Sequence, residues 1–286
     1  MKLHDTQITN YLTFCKSQKC LDVKTIRAYK IDLTHFASTM PAETSLYDIA
    51  SRQIESYIAH LHSIYKPKTA KRKIASLKAF FHYCEFYEFI ERNPFDKIQI
   101  RFREPVILPK TIPLQTLELF LSTIYNQRQL ATTSYQQKNA LRDAAVIELL
   151  FATGIRISEL CSLKSCDVNL NDNFVLIYGK GSKERKLQIG NDNVLKTLNE
   201  YKNTFSNEIE NCGHFFANQS GKPLSDQSVR RMIQKYASLA GIDQHITPHM
   251  FRHTFASSLL DADVDIRYIQ EMLGHNSITT TQIYTH

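Results

Sequence analysis

The chain has 286 residues, more than one hydrophobic core ordinarily supports, and a composition of 43% hydrophobic and 22% charged residues with 8 Gly and 8 Pro. That composition excludes collagen-like, low-complexity and disordered chains. The most apolar stretch, residues 144–155, contains Glu148 and is far shorter than the roughly 20 residues of a membrane span. Asp5 stands where a signal peptide needs an apolar run. We therefore expect a cytoplasmic protein of two domains.

Positive charge is concentrated in the first third of the sequence. Residues 1–104 carry 17 basic and 11 acidic side chains, a net charge of +6, whereas the rest of the chain carries +1. This asymmetry is typical of a surface that binds a polyanion, most often nucleic acid, although a basic face can also serve solubility alone. The six cysteines form no C-x-x-C pair, which favours reduced thiols over a zinc or redox site.

The first hundred residues predict helices. Apolar side chains follow the N-cap residue Asp22 at the spacing of one helix face: Ile26, Tyr29, Leu33 and Phe36. A second stripe of this kind follows Pro67: Ile74, Leu77, Phe81 and Cys84. We expect the second helix to end at Asn93-Pro94, because the residue before a proline disfavours the helical conformation.

Basic residues gather at the start and along one side of this second helix: Lys66, Lys68, Lys71, Arg72, Lys73 and Lys78. We predict that they bind the phosphate backbone of DNA. From this segment alone, a solvated basic face is the alternative.

A connection between two bodies follows. Pro105 and Pro109 stand among charged and β-branched residues, a composition that favours an extended linker. The sequence therefore predicts a helical DNA-binding domain over residues 1–104, a linker over 105–112 and a second domain over 113–286.

The second domain is predicted to begin with a helix over residues 114–124. A polar stretch at 126–139 then separates it from a strongly apolar helix that runs through Ala145 and Leu149 to Thr153-Gly154.

One hairpin interrupts the helices. Residues 174–178 are β-branched and aromatic, residues 179–182 are typical of a turn, and residues 186–189 can return as the paired strand. Helices resume at Ser225 and at Thr247-Pro248, which combines an N-cap residue with proline at the first helical position.

Polar residues that suit phosphate chemistry stand at the ends of these elements. The helix start at Thr247 places His249 and Arg252 on one face near the positive end of the helix dipole, which favours an anion. Arg156 follows the glycine that ends the apolar helix, and Glu159, three residues on, can orient its guanidinium. His275 and Tyr284 lie nine residues apart near the end of the sequence.

These motifs together resemble one family. The motifs are Gly154-x-Arg156-x-x-Glu159-Leu160, Gly179-Lys180-Gly181, His249-x-x-Arg252-His253, Leu273-Gly274-His275 and Tyr284. In this order and spacing they resemble the tyrosine recombinases, the phage integrase superfamily, and within it the compact Xer-type members, over nearly the whole chain. The resemblance implies a mainly α fold with a small β-hairpin or sheet, arranged as a two-domain C-clamp with a helical core-binding domain and a mixed α+β catalytic domain.

The resemblance also implies a role for each site residue. Tyr284 is the expected nucleophile, forming a 3′-phosphotyrosine on DNA and releasing a 5′-hydroxyl without ATP. Two residues hold the non-bridging oxygens of the phosphate: Arg156 and Arg252.

Proton transfer and hydrogen bonding fall to the remaining residues that the resemblance identifies. Lys180 is the expected proton donor to the leaving oxygen, His249 transfers a proton at the tyrosine, and His275 hydrogen-bonds the phosphate. Glu159 orients the arginine or His249. Lys183, in the same turn, rivals Lys180 as the acid, and only the family match favours Lys180.

The implied substrate and partner is double-stranded DNA, with two protomers on one site and a homo-tetramer on two sites. A second recombinase can also take part, and no cofactor, metal or membrane is implied. Sequence leaves open whether the reaction integrates or excises a mobile element, inverts a segment or resolves chromosome dimers. The chain stops two residues after Tyr284, where such relatives continue with a short docking helix, so we expect either a truncated sequence or a different mode of assembly.

Four alternatives remain to be compared with this hypothesis. A zinc site from His249, His253 and His275 lacks the glutamate of a zinc-protease helix, and Gly179-Lys180-Gly181-Ser182 lacks the spacing of a phosphate-binding loop. A type IB topoisomerase has similar active-site residues but acts without site preference. A DNA-binding regulator or excision accessory of the same fold performs no strand exchange.

Overall fold

The structure is a computed structural model of the chain, and it describes residues 3–41, 44–100, 102, 109–179 and 184–274. The described residues are mostly helical, with one small sheet, as the sequence predicts. Contacts divide the chain into two compact units, residues 1–106 and 107–286. Four of the eight residues of the predicted linker, 105–108, fall outside the described residues, so its boundaries stay a prediction.

The described part of unit 1 contains four α-helices and one 3-10 turn at Leu46–Asp48. The helices are α1 Leu3–Ser17, α2 Val23–Thr39, α3 Ser51–Ile64 and α4 Pro67–Phe86. The carboxylate of Asp22 accepts a hydrogen bond from the Lys24 N–H at 2.7 Å, which confirms the predicted N-cap of α2. Leu33 and Phe36 of α2 are buried against the apolar face of α4, so both predicted stripes contribute to the core.

Helix α4 ends at Phe86, earlier than the predicted stop at Asn93-Pro94. The chain reverses at Glu88, which adopts a left-handed conformation with φ of 59°, and the next N–H, of Phe89, returns to the Cys84 carbonyl at 2.8 Å. Asn93 instead organises a later turn, in which its side chain accepts from the Phe95 N–H at 3.1 Å. The predicted end of α4 was wrong because the turn at residues 87–89, which ends the helix, contains no proline or glycine that would mark it in the sequence.

A buried cluster of charged side chains joins α2 to α4. Asp32, only 2% exposed, accepts hydrogen bonds from Arg72, from the Lys73 ammonium at 3.2 Å and from the Ser76 hydroxyl at 2.9 Å. Lys73 is itself 5% exposed, so two opposite charges neutralise each other inside unit 1.

Unit 2 contains the remaining eight helices and three strands that the structure describes: α5 Leu114–Gln129, α6 Ser134–Thr153, α7 Ile157–Ser162, β1 Val168–Asn169, β2 Phe174–Tyr178, β3 Glu184–Gln188, α8 Asp192–Thr204, α9 Ser206–Cys212, α10 Asp226–Leu239, α11 Pro248–Asp261 and α12 Ile266–Leu273.

Helix α6 forms the centre of unit 2. Its second half is buried on nearly every side and packs against α5, α8, α10 and α11. The predicted apolar helix is therefore confirmed, but the predicted polar stretch at 126–139 is mostly helical, because α5 continues to Gln129 and α6 begins at Ser134. Thr133 starts α6 by accepting from the Gln136 N–H, a capping interaction that works for a polar first turn.

The sheet is antiparallel with the order β1-β2-β3, and it contains the predicted hairpin. Strand β3 begins at Glu184, two residues before its predicted start, and β1 was not predicted. Val175 pairs with Leu187 and Ile177 pairs with Arg185, so Arg185 stands on the same face of β3 as the buried Leu187. The turn between β2 and β3, with Lys180 and Lys183, lies outside the described residues.

None of the helices in the described ranges has both the length and the apolar composition that a membrane crossing requires.

The Asp32 cluster gives a prediction for stability. Replacing Asp32 with Asn leaves the Lys73 ammonium buried without a carboxylate, so the free energy of unfolding should fall by about 3–5 kcal/mol. Urea denaturation of the full chain, followed by far-UV circular dichroism, measures this loss. The control is Glu55→Gln, which removes an exposed carboxylate of the same unit, and equal losses in the two variants would contradict the assignment.

Candidate active site

The end of α6 approaches α11 closely at Gly154. This glycine adopts a left-handed conformation with φ of 59°, and a Cβ atom there would lie 2.4 Å from Cδ1 of Phe255 on α11. The Gly154 carbonyl accepts a hydrogen bond from Nη1 of Arg252 at 2.8 Å. Packing of α6 against α11 thus brings the turn that precedes Arg156 to the buried side chain of Arg252.

Arg156 stands directly before α7 and faces Glu159 in the first turn of that helix. The Arg156 N–H donates to Glu159 Oε2 at 2.8 Å, and its Nη1 donates to Glu159 Oε1 at 2.9 Å. The Arg156 side chain is 36% exposed, whereas that of Glu159 is 9% exposed. The carboxylate is therefore buried beneath a guanidinium that solvent can still reach.

A second arginine, Arg185 of β3, holds the same carboxylate. Its Nη1 donates to Glu159 Oε1 at 3.1 Å and its Nη2 donates to Oε2 at 2.7 Å. Burial opposes ionisation of Glu159, but the hydrogen bonds from Arg185 and from the Arg156 backbone, with the charges of both arginines, outweigh it and lower the pKa of the carboxyl. Glu159 is thus held as an anion.

Helix α11 supplies the predicted histidine and arginine. His249 is exposed in the first turn of α11, and Arg252 is buried, with 4% of its surface exposed. The adjacent His253 is partly buried, and burial, together with the charges of His249 and Arg252, lowers its pKa to about 4. His253 is therefore neutral at physiological pH and adds no charge beside Arg252.

Three arginines converge on the C-terminal end of α12. Consecutive backbone carbonyls each accept from a different guanidinium: Met272 from Arg185 Nε at 2.9 Å, Leu273 from Arg252 Nη2 at 2.5 Å and Gly274 from Arg156 Nη2 at 3.5 Å. The last carbonyls of a helix have no partner within it and carry the negative end of its dipole, so they attract cations. One helix end thereby gathers positive charge from three distant segments.

The structure brings together three of the predicted site residues: Arg156, Glu159 and Arg252. His249 lies one helical turn before Arg252, and the other three predicted catalytic residues, Lys180, His275 and Tyr284, lie outside the described residues. Gly274, which accepts from Arg156, directly precedes His275 in sequence. Guanidinium groups so arranged are suited to binding an oxyanion such as phosphate.

The predicted basic set lies on α4 of unit 1 and is not uniform. Five of its members are exposed, although Arg72 also bonds Asp32: Lys66, Lys68, Lys71, Arg72 and Lys78. Lys73 is buried against Asp32, so we correct its prediction as a DNA contact. The physical reason is helical geometry, because Lys73 precedes Ile74 on the side of α4 that faces α2.

Sequence reasoning missed Arg185. The signal was present in the two-residue period of a strand, which places Arg185 on the side of the buried Leu187. A buried arginine requires acceptors for its donors, and a buried carboxylate is the usual one.

Comparison with known proteins identifies the family of the chain. The sequence profile described as "Phage integrase family" matches residues 124–286, and "Phage integrase, N-terminal SAM-like domain" matches residues 8–85. A protein of Agathobacter rectalis named "Tyrosine recombinase" is 68% identical over 98% of this chain and 92% of its own length. "Tyrosine recombinase XerD" of Listeria innocua is 34% identical over 98% of this chain and 93% of its own length.

A similar fold occurs in a crystal structure described as "XerH site-specific recombinase bound to difH substrate: pre-cleavage complex". It is 24% identical, has a TM-score of 0.75 and covers 96% of this chain and 80% of that chain.

The contact at Gly154 can be tested with two glycine variants. Gly213 also ends a helix in the left-handed conformation, with φ of 67°, but a Cβ there meets nothing within 4 Å. Gly213→Ala should cost about 1–2 kcal/mol of unfolding free energy for backbone strain alone. Gly154→Ala adds the clash with Phe255, for which about 1–3 kcal/mol more is expected. Urea denaturation compares the two, and equal losses would contradict the close approach.

Proposed function

The chain belongs to the phage integrase family and is a tyrosine recombinase, an enzyme that cleaves and rejoins DNA at specific sites; we propose that Tyr284 is its nucleophile. In this proposal Arg156 and Arg252 bind the scissile phosphate, and Lys180, His249 and His275 assist as proton donors or hydrogen-bond donors. Glu159 orients Arg156.

One observation carries this assignment. Arg156 and Arg252 are 96 residues apart in sequence, yet both reach consecutive carbonyls, Gly274 and Leu273, at the end of α12. His275 follows these carbonyls directly, and Tyr284 lies nine residues later. The two arginines are therefore held beside the start of the segment that carries the proposed nucleophile.

The proposed reaction has two transfers. The Tyr284 oxygen attacks the phosphorus and forms a 3′-phosphotyrosine, while its proton passes to His249. The bond to the 5′ oxygen breaks, and Lys180 gives that oxygen a proton. A 5′-hydroxyl of the partner duplex then attacks the phosphotyrosine and gives its proton to Lys180, while the released Tyr284 oxygen takes its proton back from His249. Arg156 and Arg252 stabilise the additional negative charge in each transition state.

Unit 1 contributes affinity for DNA through α4. At 100° per residue, Lys68, Lys71 and Lys78 fall within an arc of about 80° on this helix, and all three are exposed. A row of ammonium groups on one side of a helix suits a phosphate backbone, where it displaces counterions. We propose that this row binds double-stranded DNA.

Exchange between two duplexes requires four strand cleavages, so the proposal includes a tetramer of this chain on two sites, with or without a second recombinase. The enzyme would work where its DNA is held, in the cytoplasm.

The nucleophile can be tested with suicide substrates. We expect the protein to form a covalent complex, visible on a denaturing gel, with nicked duplexes that it selects from a random-sequence pool. Tyr284→Phe should abolish the complex because phenylalanine has no attacking oxygen. Tyr268→Phe, which alters an exposed tyrosine of α12, is the matched control and should retain it.

The same gel separates the alternatives. A complex that persists in Tyr284→Phe would refute the nucleophile. Tight binding without any complex would favour a regulator of this fold. Cleavage without sequence preference would favour a relaxing topoisomerase.

The DNA surface predicts a change in salt dependence. The double variant Lys68→Gln/Lys78→Gln should lower the slope of log K against log salt by about 2, because each lost phosphate contact contributes about 0.9. Lys196→Gln/Lys202→Gln removes the same charge from exposed positions of α8 and should leave the slope nearly unchanged. Fluorescence anisotropy at several salt concentrations measures both, and equal slopes would place the contact elsewhere.

A further inference from the structure

We propose that Arg185 is a positioning residue for DNA cleavage: it holds the Glu159 carboxylate that aligns Arg156 and ties β3 to the end of α12. This inference rests on the proposed function of Arg156 and Tyr284. It assigns a role to a buried residue of β3 that the motifs Gly154 to Glu159, His249 to His253 and Leu273 to His275 do not contain.

The guanidinium of Arg185 is enclosed by protein acceptors. Its side chain is 9% exposed, and three of its nitrogens donate to protein acceptors: two to Glu159 and one to the Met272 carbonyl. A guanidinium so enclosed is directed at its protein partners rather than at solvent. Arg185 therefore acts through Glu159 and α12, and not by contact with DNA.

Arg185 and Arg156 share the carboxylate of Glu159. Each carboxylate oxygen accepts once from Arg185 and once from Arg156: Oε1 from the two Nη1 atoms, and Oε2 from Arg185 Nη2 and the Arg156 N–H. The planar fork of Arg185 fixes both oxygens at once, which a single point charge cannot do. The orientation of Arg156 Nη1 follows from the plane in which Arg185 holds the carboxylate.

Arg185 also contacts the end of α12. Arg185 passes so close to Gly274 that a Cβ atom there would lie 3.0 Å from Nη1. The Met272 carbonyl that it holds is three residues before His275, and Arg185 itself is five residues after Lys180 in sequence. One side chain thus connects the strand that follows the proposed acid, the carboxylate beneath Arg156 and the helix that precedes the proposed nucleophile.

The experiment compares variants of Arg185 in the full chain with Lys186→Gln, which removes a positive charge from the exposed next position of β3. Single-turnover formation of the covalent complex on the suicide substrate gives the cleavage rate, and anisotropy gives the Kd for DNA. We expect Arg185→Gln to slow cleavage about 10- to 100-fold, since small misplacements of a reacting group have effects of this size. The Kd should change less than about twofold, as in Lys186→Gln.

Two readouts separate positioning from a loss of folding. Arg185→Lys keeps the charge without the fork, so it should unfold close to the parent temperature yet cleave slowly. In a double-mutant cycle, Arg185→Gln and Glu159→Gln should be strongly non-additive, because both remove the same support from Arg156.

The pH profile gives a third readout. The charged groups that hydrogen-bond Glu159 among the described residues are Arg156, at the start of its own helix, and Arg185 from β3. Without Arg185 the carboxyl remains buried and loses its strongest stabilising contact, so its pKa rises. A protonated Glu159 cannot accept from Arg156 at both oxygens. As the pH is lowered, the cleavage rate of Arg185→Gln should therefore begin to fall at a higher pH than the cleavage rate of the parent.

The outcomes are distinct. If the parent protein forms no covalent complex, the proposed function fails. If the parent cleaves and Arg185→Gln or Arg185→Lys cleaves at the parent rate, the inference fails while the proposed function stands. Additive effects of the Arg185 and Glu159 variants would also overturn the inference, because the two residues would then act independently.

Discussion

The arrangement of unit 2 depends on keeping three guanidinium groups close together around one helix end. Like charges at such short range repel, and a buried cation that lacks acceptors is costly. The chain meets this constraint with one carboxylate, Glu159, and with the unpaired carbonyls of α12, which carry a partial negative charge and no proton that could titrate. Arg156 and Arg252, the two proposed phosphate ligands, also donate to the main-chain carbonyls of Gly154, Leu273 and Gly274, whose partial charge does not depend on pH.

Main-chain acceptors demand accurate packing, because a carbonyl moves only with its helix. Helix α6 supplies the rigid reference: it is buried along its second half and contacts α11 through the close approach at Gly154. Glycine is needed there on two counts, its left-handed backbone and the space that Phe255 occupies. Arg252 and Phe255 lie three residues apart on one face of α11 and both contact Gly154, so the packing contact at Gly154 also sets the position of Arg252.

Sequence reasoning succeeded where local chemistry determines structure. Asp22 and Ser225 start helices α2 and α10 with the side-chain caps that their chemistry indicates, and the apolar run through Leu149 forms α6. Helix α11 begins at Pro248 as predicted, although the Thr247 side chain makes no capping hydrogen bond. The predictions failed where contacts between distant parts of the chain determine the structure. The end of α4 at Phe86 depends on a turn at Glu88 with an uncommon backbone, and the burial of Lys73 depends on Asp32, 41 residues away.

The residues of the candidate site also fall into those that the sequence reveals and those that only the fold reveals. Its motif residues are visible in sequence because they stand at helix starts and glycine turns, whereas Arg185 has no motif of its own. Its partners, Glu159 and Met272, are 26 and 87 residues away, and only the folded sheet and helix bring them within hydrogen-bonding distance.

The gathering of the arginines at α12 also orders events during synthesis. The contact of Arg156 with Gly274 spans 118 residues and that of Arg185 with Met272 spans 87, so neither can form until the ribosome has added α12. A nascent chain can already bury α6 against α5 and α8 while its guanidinium groups still lack this anchor. A chain that ends before α12 can therefore pair Arg156 and Arg185 with Glu159, but the three arginines gain their common anchor only once α12 has been added.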